Sequence, residues 1–288
     1  MTNQVSPYIT CVDLGGTKLA IANICNGRII SSKRQPINST LNAADFNAFL
    51  IEQLSPFITE SCQGICIGVP GLVETHSGFV IEVLNIPKWH NVALKTLFEK
   101  HFKVPTLVHN DANCFTYGIF KHANYQHFDN VVGVTLGTGL GAGLILNNQL
   151  YTGKQSAAGE FGSFPYLDGI IEHYCSGQFF KRQGLDGLTT FEQAQAGETK
   201  ALNLFSELGT HLGSAIVQVV QAFNPDAIVF GGSVAKSAPF FLPNLQQTLK
   251  STLPPSVFSA LQVHYTQDAN TALFGAYHLF TSEVMTRD

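Results

Sequence analysis

The sequence predicts an α/β protein built from two similar domains. Its 288 residues suffice for two domains of ordinary size, and 45% of them are hydrophobic. Segments with strand-like and helix-like patterns alternate along the chain. A pattern of strand, glycine-rich turn, strand, turn and strand opens the chain and returns near residue 129. We interpret the two copies as a degenerate internal repeat, with one copy in each domain.

The first domain begins with three strands joined by a Gly-Gly-Thr-Lys turn and an Asn26-Gly27 turn. An amphipathic helix over 41–60 follows, with Asn42 and Asp45 as its cap. The next segments are a buried strand ending in Pro-Gly, a strand over 79–85 and an irregular segment. The domain then continues with a helix over 92–102, a strand over 105–110 and a helix that starts at the acidic Asp111.

The second domain repeats the opening over residues 129–153, where a β-branched strand enters a Gly-Thr-Gly turn and a second strand follows. A long helix over 200–225 ends at Pro225. A strand over 227–233 leads into a Gly-Gly turn, and a last helix covers 268–280.

Composition excludes several functional classes. The net charge of −4 and the lack of a basic run argue against nucleic acid as a partner. No apolar stretch reaches the length that a bilayer requires, and the N-terminus lacks a signal-peptide pattern, so we expect a cytoplasmic protein. The six cysteines are expected to be free thiols, and the pair Cys62 and Cys66 is too isolated for a zinc half-site.

The first glycine-rich turn has the residue types of a phosphate-binding loop. Asp13 ends an apolar strand, where a carboxylate is costly unless it meets a cation or hydrogen-bond donors. Two glycines let the backbone approach a ligand, and a hydroxyl and a cation follow them: Gly15, Gly16, Thr17 and Lys18. An ordinary hairpin turn remains the alternative for this stretch alone.

Two further glycine-rich turns lie in the second domain. The segment "TLGTGLGAG" does not open a helix, as a dinucleotide-binding turn would, and the chain contains no P-loop motif. Backbone N–H groups of Gly137, Thr138 and Gly139 are instead predicted to cradle a phosphate. The turn "FGGSV", with Gly231, Gly232 and Ser233, could receive the base and ribose of a nucleotide. A ligand-free hairpin and a plain helix entry are the alternatives.

Four polar residues have the chemistry of hydroxyl binding and proton transfer. Asp111 could take a proton from a hydroxyl nucleophile, and Asn110 could orient that hydroxyl, at a strand end where α/β proteins bind ligands. Glu160 lies between glycines, where its carboxylate could bind vicinal hydroxyls, and Glu172 lies early in a helix. Helix capping by Asp111 and a favourable helix-dipole position for Glu172 remain open.

These motifs together resemble those of the ROK family of repressors, open reading frames and sugar kinases. The resemblance extends from residue 8 to about residue 280, in the family's order and approximate spacing. The motifs that carry it are Asp13-Leu-Gly-Gly-Thr-Lys18, Gly68-Val-Pro-Gly71, Asn85-Ile-Pro-Lys-Trp89, Asn110-Asp-Ala-Asn113, Gly137-Thr-Gly-Leu-Gly141, Gly159-Glu-Phe-Gly162 and Gly231-Gly-Ser233.

The resemblance implies a two-lobed actin-like ATPase fold, a duplicated ribonuclease H-like architecture that binds a sugar, ATP and Mg²⁺. We expect an N-terminal lobe over 1–118 and a C-terminal lobe over 119–269, with the C-terminal helix in 270–288 packing back on the first lobe. Asp111 is implied as the catalytic base, and the implied sugar ligands are Asn85, Asn110, Glu160 and Glu172. Asp13 is implied as the carboxylate near Mg²⁺, with a water molecule between them, and the three glycine-rich turns as the ATP site.

The sequence departs from the family at three points. Ser163 stands where the family commonly has a histidine that serves a zinc ion and the sugar, and the family's cysteine-rich zinc segment is missing. His109 stands where the family often has glutamate. We therefore expect no structural zinc, and a roomier pocket near sugar carbons 1 and 2.

The sequence thus predicts an ATP-dependent kinase that phosphorylates a hexose such as glucose, at O6. An N-acetylhexosamine or fructose kinase of the same family is the alternative substrate class. A sugar-responsive transcriptional regulator and a non-catalytic sugar sensor are alternatives of another class. The family's repressors carry a helix-turn-helix segment ahead of the kinase-like region, and we expect none here, because Asp13 lies close to the start of the sequence. A homodimer is a possible assembly.

Overall fold

A computed structural model describes residues 6–83 and 85–285. These residues form two compact units. The first unit takes the chain as far as Tyr125, together with Leu150–Ala158 and the chain from Asn270 onward. The second unit takes Gln126–Gln149 and Gly159–Ala269.

The first unit is built on a five-stranded sheet. Its strands along the chain are β1 (Tyr8–Leu14), β2 (Lys18–Cys25), β3 (Arg28–Pro36), β4 (Cys62–Val69) and β8 (Thr106–Asn110). Their order in the sheet is β3-β2-β1-β4-β8. The hairpin strands β1, β2 and β3 are antiparallel, whereas β1, β4 and β8 run parallel. The strands β1 and β4 are apolar and buried along most of their length, as strands covered on both faces are.

The two faces of this sheet are covered by different elements. Helices α1 (Ala43–Leu54) and α2 (Leu94–Phe102) bury their apolar faces in one core, together with the small sheet of β5 (Leu72–Glu74), β6 (Phe79–Glu82) and β7 (Val92–Ala93). Helices α3 (Asp111–Lys121) and α10 (Thr271–Phe280) pack on the other face. A side chain at Gly118 would collide with the Thr271 carbonyl, and one at Gly275 with the Cys114 carbonyl. These glycines therefore let α3 and α10 pack with their backbones in contact.

The second unit repeats the strand arrangement of the first. Its strands β9 (Val131–Leu136), β10 (Leu140–Leu146), β11 (Gln149–Tyr151), β14 (Ala227–Gly231) and β15 (Gln262–Tyr265) lie in the order β11-β10-β9-β14-β15. An antiparallel pair, β9 and β10, is followed by the parallel neighbours β14 and β15. The two sheets thus share one strand order, and the directions of β9, β10, β14 and β15 match those of β1, β2, β4 and β8, so the predicted duplication is confirmed.

The second unit also contains a short hairpin and six α-helices among the described residues. The hairpin consists of β12 (Pro165–Tyr166) and β13 (Gly169–Ile170). The helices are α4 (Ile171–Cys175), α5 (Gln178–Arg182), α6 (Gly187–Gln195), α7 (Thr199–Phe223), α8 (Ala238–Thr252) and α9 (Pro255–Ala260). The long helix α7 ends at Asn224, which adopts a left-handed conformation before Pro225.

Several predicted elements are shorter in the structure. The helix predicted over 41–60 ends at Leu54, and a 3₁₀ turn over Ser55–Phe57 follows, because Pro56 has no N–H with which to continue the α-helical hydrogen bonds. The strand predicted over 79–85 ends at Glu82, and Leu84 lies outside the described residues. No described helix is long and apolar enough to cross a membrane.

Candidate functional site

The turn after β1 is a tight loop with Asp13 at its start. The Gly15 N–H donates to the Lys18 carbonyl oxygen over 2.9 Å, which closes the turn between β1 and β2. Burial of the Asp13 carboxyl raises its pKa to about 6, although the charge of Arg34 acts in the opposite direction. A carboxylate that has lost its water in this way gains from a bound cation, which is the property required of a magnesium ligand.

Asn85 lies directly beside this loop. A β-carbon at Gly16 would stand 2.7 Å from the Asn85 β-carbon, so only glycine fits at position 16 without displacing its neighbour. The side chain of Asn85 is exposed. The structure thus brings together two residues that are 69 positions apart and that the sequence predicted for nucleotide and sugar binding.

Asn110 and Asp111 form the junction between β8 and α3. The Asn110 side-chain oxygen accepts the Asn113 N–H over 3.0 Å and thereby caps α3, while its amide donates to the Gly71 carbonyl over 3.1 Å. The Asp111 carboxylate accepts the N–H of Ala112 over 2.8 Å. Asn110 therefore provides the N-cap of α3, and the Asp111 carboxylate bonds a further N–H in the first turn of the helix.

The register of the parallel strands sets where these residues stand. Asp13 pairs with Gly68 across β1 and β4, and Gly68 pairs with His109 across β4 and β8. The carboxyl ends of the three strands therefore lie side by side, which places Asp13 and the start of α3 at one edge of the sheet.

The structure adds two supporting residues that we did not single out individually from the sequence. A β-carbon at Gly68 would lie 3.2 Å from the Asp111 α-carbon and 3.1 Å from the Cys114 sulfur, so residue 68 limits how α3 begins. The pKa of the Cys114 thiol is raised, first by its hydrogen bond with Cys66 and by burial, and then by the charges of Asp13 and Asp111. The Cys114 thiol is thus a neutral group that lies within the field of both carboxylates. In the sequence, the signal for the constraint at residue 68 was the glycine that precedes Val-Pro-Gly.

In the second unit, α4 and the two residues after it make hydrogen bonds with the turn between β9 and β10. The Gly137 N–H donates to the Gly139 carbonyl within the turn. The Gly137 carbonyl accepts the Gly177 N–H over 2.8 Å, and the Thr138 carbonyl accepts the Ser176 hydroxyl over 3.3 Å. The Gly137 N–H is therefore used inside the turn, whereas the sequence assigned it to a phosphate together with those of Thr138 and Gly139.

The turn after β14 adjoins the turn after β9. Gly231 pairs with Thr135 in the parallel register of these strands. Gly232 has a φ of +91°, which favours glycine, and a side chain there would collide with the Leu136 carbonyl. A β-carbon at Gly137 would stand 3.9 Å from the Ser233 hydroxyl oxygen. The two turns that the sequence predicted for ATP in this domain are thus neighbours.

Glu160 and Glu172 belong to the same part of the second unit. The pKa of Glu160 is raised by the loss of water around its carboxyl group and by the negative charge of Glu172. The Glu172 carboxylate accepts the Leu140 N–H over 2.9 Å, and its oxygens lie against Gly139. Glu172 is therefore part of the glycine-rich turn as well as a candidate sugar ligand.

Ser163 follows Glu160 in a short 3₁₀ turn over Phe161–Ser163, and its N–H donates to the Glu160 carbonyl. Its side chain is exposed. Within residues 6–83 and 85–285, no three histidine, cysteine or carboxylate side chains are grouped as metal ligands. The absence of structural zinc stays a prediction.

The predicted site residues thus fall into two groups. The first unit brings together Asp13, the loop 15–18, Asn85, Asn110 and Asp111. The second unit brings together Glu160, Glu172 and the turns at 137–139 and 231–233.

Comparison with known proteins gives a consistent family. The model of the ROK family matches residues 9–283. A beta-glucoside kinase of Klebsiella pneumoniae is 30% identical over 262 residues, with 84% of this chain and 86% of that protein covered. A xylose repressor of Bacillus spizizenii is 25% identical and is covered over 73% of its length, with 91% of this chain.

A solved structure gives the same result for the fold. The ROK family glucokinase from Streptomyces griseus, in complex with glucose and AMPPNP, superposes with a TM-score of 0.84 at 25% identity. The match covers 94% of this chain and 98% of that protein. The fold is the actin-like ATPase fold that the sequence predicted.

Proposed function

Because this chain belongs to the ROK family, we propose that it is an ATP-dependent sugar kinase that phosphorylates a hexose at O6. The relatives support a sugar as the ligand, and the glucokinase complex with AMPPNP supports a nucleoside triphosphate as the phosphoryl donor.

The observation that carries this proposal is the arrangement of Asn110 and Asp111. Asn110 is fixed by two hydrogen bonds, one to α3 and one to the Gly71 carbonyl. The adjacent Asp111 keeps a partly exposed carboxylate at the carboxyl end of a parallel strand, which is where ligands bind in α/β sheets. A carboxylate held in this way can accept the proton of a sugar hydroxyl as the hydroxyl attacks a phosphoryl group.

We assign ATP to the loop 15–18 and the turns 137–139 and 231–233. Phosphoryl transfer depends mainly on positioning and on charge neutralisation, and backbone N–H groups and Lys18 supply both. Asp13 would hold Mg²⁺, directly or through water, since its desolvated carboxylate is stabilised by a cation. When bound, Mg²⁺ would neutralise charge on the phosphates.

Glu160 and Glu172 are assigned to the sugar. The charge of Glu172 raises the pKa of Glu160, so the two carboxyl groups lie near each other. Vicinal sugar hydroxyls can donate hydrogen bonds to such a pair of acceptors. Asn85 and Asn110 add amide groups for further hydroxyls. Ser163 is smaller than the family's histidine, so we propose that the site tolerates substituents at sugar carbons 1 and 2, and the beta-glucoside kinase relative supports this substrate class.

The test is a comparison of kcat/KM for glucose, N-acetylglucosamine, fructose and 1-O-glucosides, at one concentration of ATP and Mg²⁺. We expect turnover of glucose, and discrimination against 1- and 2-substituted analogues far below the roughly 10⁴-fold that a hydrogen-bonding pocket can impose. Ser163→His should lower kcat/KM for the substituted sugars more than for glucose. Rejection of every analogue by more than about 10⁴-fold would contradict the open pocket.

A sugar-responsive regulator is the second candidate, since a xylose repressor is among the relatives. The same panel separates the two candidates. Sugar binding measured by calorimetry without any ATP turnover would favour the regulator, whereas sugar-dependent ADP release would favour the kinase.

A further inference from the structure

The segment between Glu160 and Glu172 contains a short hairpin. After the turn at Phe161–Ser163, the chain forms β12 and β13 and enters α4 directly. The Ile171 N–H donates to the Phe164 carbonyl over 2.9 Å and closes the base of the hairpin. The helix α4 has only five residues, so it is too short to be stable alone. Its position must be set by its tertiary contacts.

One set of contacts consists of aromatic rings. The Tyr166 hydroxyl lies 3.0 Å from the His211 Nδ1 atom, which joins the hairpin to the long helix α7. The Tyr174 ring of α4 contacts both, with centroids 5.4 Å from Tyr166 and 5.0 Å from His211. The Tyr166 and Tyr174 rings meet edge to face, a favourable geometry for aromatic pairs.

A second set of contacts is polar. The Tyr174 hydroxyl donates to the Asp168 carboxylate at the tip of the hairpin. The Arg182 guanidinium lies over the Tyr174 ring, 5.2 Å from its centroid, and its two terminal nitrogens bond His173 Nδ1 at 2.9 Å and Asp168 at 3.4 Å. The ion pair itself is exposed and contributes little alone. Together, the contacts with Tyr174, His173 and Asp168 nevertheless restrict the position of the guanidinium.

We define the brace as Tyr166, Asp168, Tyr174, Arg182 and His211. It touches α4 through Tyr174, and Arg182 reaches the adjacent His173. Glu172, the residue before His173, bonds the Leu140 N–H and lies against Gly139. The helix α4 therefore connects the brace with the glycine-rich turn at 137–139.

We infer that the brace positions Glu172 for the sugar, and that it fixes the α4 segment through aromatic and polar contacts without a metal ion. The members of the brace are positioning residues, because they act through α4. This inference rests on the proposed function, in which Glu172 accepts a sugar hydroxyl. Displacing a binding group by a fraction of an ångström weakens the interactions that depend on its geometry.

The experiment compares Arg182→Ala, Tyr174→Phe and Tyr166→Phe with Lys181→Ala in the full-length protein. Lys181 is the exposed neighbour of Arg182 and belongs to no part of the brace, which makes it the matched control. We expect Arg182→Ala to raise the KM for the sugar roughly tenfold with a smaller change in kcat. Tyr174→Phe keeps the ring under the guanidinium and should have a smaller effect, and Lys181→Ala should behave as the wild type.

A double-mutant cycle tests whether the brace acts through Glu172. If it does, adding Arg182→Ala to Glu172→Gln should weaken sugar binding little further, since the group that the brace positions is already impaired. Sugar affinity measured by calorimetry without ATP gives a readout independent of turnover. Thermal midpoints of all variants show whether the effect is only a loss of stability.

The outcomes separate this inference from the proposed function. A wild-type protein that neither binds nor phosphorylates any hexose would overturn the proposed function and the role of the brace with it. A wild type that phosphorylates a hexose, with unchanged sugar KM in Arg182→Ala or with fully additive effects in the cycle, would overturn the inference alone. A lowered thermal midpoint with unchanged sugar affinity would also overturn it.

Discussion

Asn110 and Asp111 differ in the hydrogen bonds that their side-chain atoms can make. The amide of Asn110 offers both a donor and an acceptor, and the structure uses both, for Gly71 and for Asn113. An ionised carboxylate has only acceptors, so an aspartate at position 110 could not donate to Gly71. The neighbouring Asp111 carboxylate accepts the Ala112 N–H, and its role as a base is a proposal.

Asp111→Asn should lower kcat by roughly 10²- to 10⁴-fold, the usual loss when a general base is removed. The amide preserves the shape of the side chain, so sugar affinity should change much less. Steady-state kinetics and calorimetry measure both quantities. The matched control is Asp45→Asn, which removes an exposed carboxylate from the first turn of α1. Near wild-type turnover in a folded Asp111→Asn protein would remove this residue from the mechanism.

The negative charge of Asp13 destabilises the folded state relative to the unfolded chain. Burial raises the pKa of its carboxyl group from 3.8 to about 6. The protonated form is therefore favoured in the folded state, and its contribution to stability is complete below about pH 4 and is lost as the pH rises to about 6. At neutral pH the folded protein holds an ionised carboxylate that would be better solvated in the unfolded chain.

Asp13→Asn should consequently raise the free energy of unfolding at pH 7.5 without Mg²⁺, by about 1–3 kcal/mol. The same change should lower kcat/KM strongly, because the proposed cation ligand is lost. Urea denaturation and steady-state kinetics measure the two effects, and Glu52→Gln, an exposed charge on α1, is the control. An Asp13→Asn protein that is less stable and equally active would contradict both assignments.

At the scale of elements, the packing of α10 on α3 contains a buried imidazole. His278 of α10 has a pKa lowered to about 4, first by burial and then by the charges of His122 and Lys121 at the end of α3. Its Nε2 atom is buried without a hydrogen-bond partner among the described residues. The ring of His122 in turn stacks on Phe274 of α10, with centroids 3.6 Å apart. Protonation of His278 would place a charge in this helix contact.

The contribution of His278 to stability should therefore be lost as the pH falls from 6.5, the unperturbed value, toward 4, opposite in sign to that of Asp13. Over this range the unfolded chain binds a proton at His278 and the folded chain does not, so acid favours unfolding. We expect a contribution of about 1–2 kcal/mol, reduced because the imidazole is only partly buried. In urea denaturation, lowering the pH from 6.5 to 4 should cost His278→Gln less stability, or give it a larger gain, than the exposed-site control His101→Gln. Equal slopes in both variants would contradict this origin.

At the scale of the whole molecule, each of the two sheets carries a hairpin with a glycine-rich turn. In each unit an antiparallel hairpin carries a glycine-rich turn, and the hairpin's first strand is parallel to the next two strands of its sheet. The family relation and this repeated architecture account for the ordered motifs along the full chain.

We expect the purified, untagged protein to contain well under one zinc ion per chain. A structural zinc site requires about four cysteine or histidine ligands, and the segment from Ser163 to Cys175 contains only His173 and Cys175. His173 accepts a hydrogen bond from Arg182, and burial raises the pKa of the Cys175 thiol, which disfavours the thiolate that zinc binds. Elemental analysis measures the zinc content. A stoichiometric zinc that resists chelators would contradict this prediction.

The sequence by itself determined the two-domain α/β architecture and the glycine-rich turns. Apolar runs, turn residues and helix periodicity are local properties, so they could be read along the chain, and the repeat at residues 8 and 129 indicated the duplication. The motif order also indicated Asn110, Asp111 and the two glutamates as site residues. Local patterns overestimated the length of the helix after residue 41 and did not predict the helices α5, α6 and α9.

Only the tertiary structure decided which atoms are already engaged. That Asn110 caps α3, that Glu172 bonds the turn at 137–139, and that Gly16 lies against Asn85 all depend on strand register and on chain segments far apart in sequence. The raised pKa of Asp13 likewise comes from the burial that folding creates. Hydrogen-bond partners and desolvation are properties of assembled elements, because neither exists until distant segments exclude water from between them.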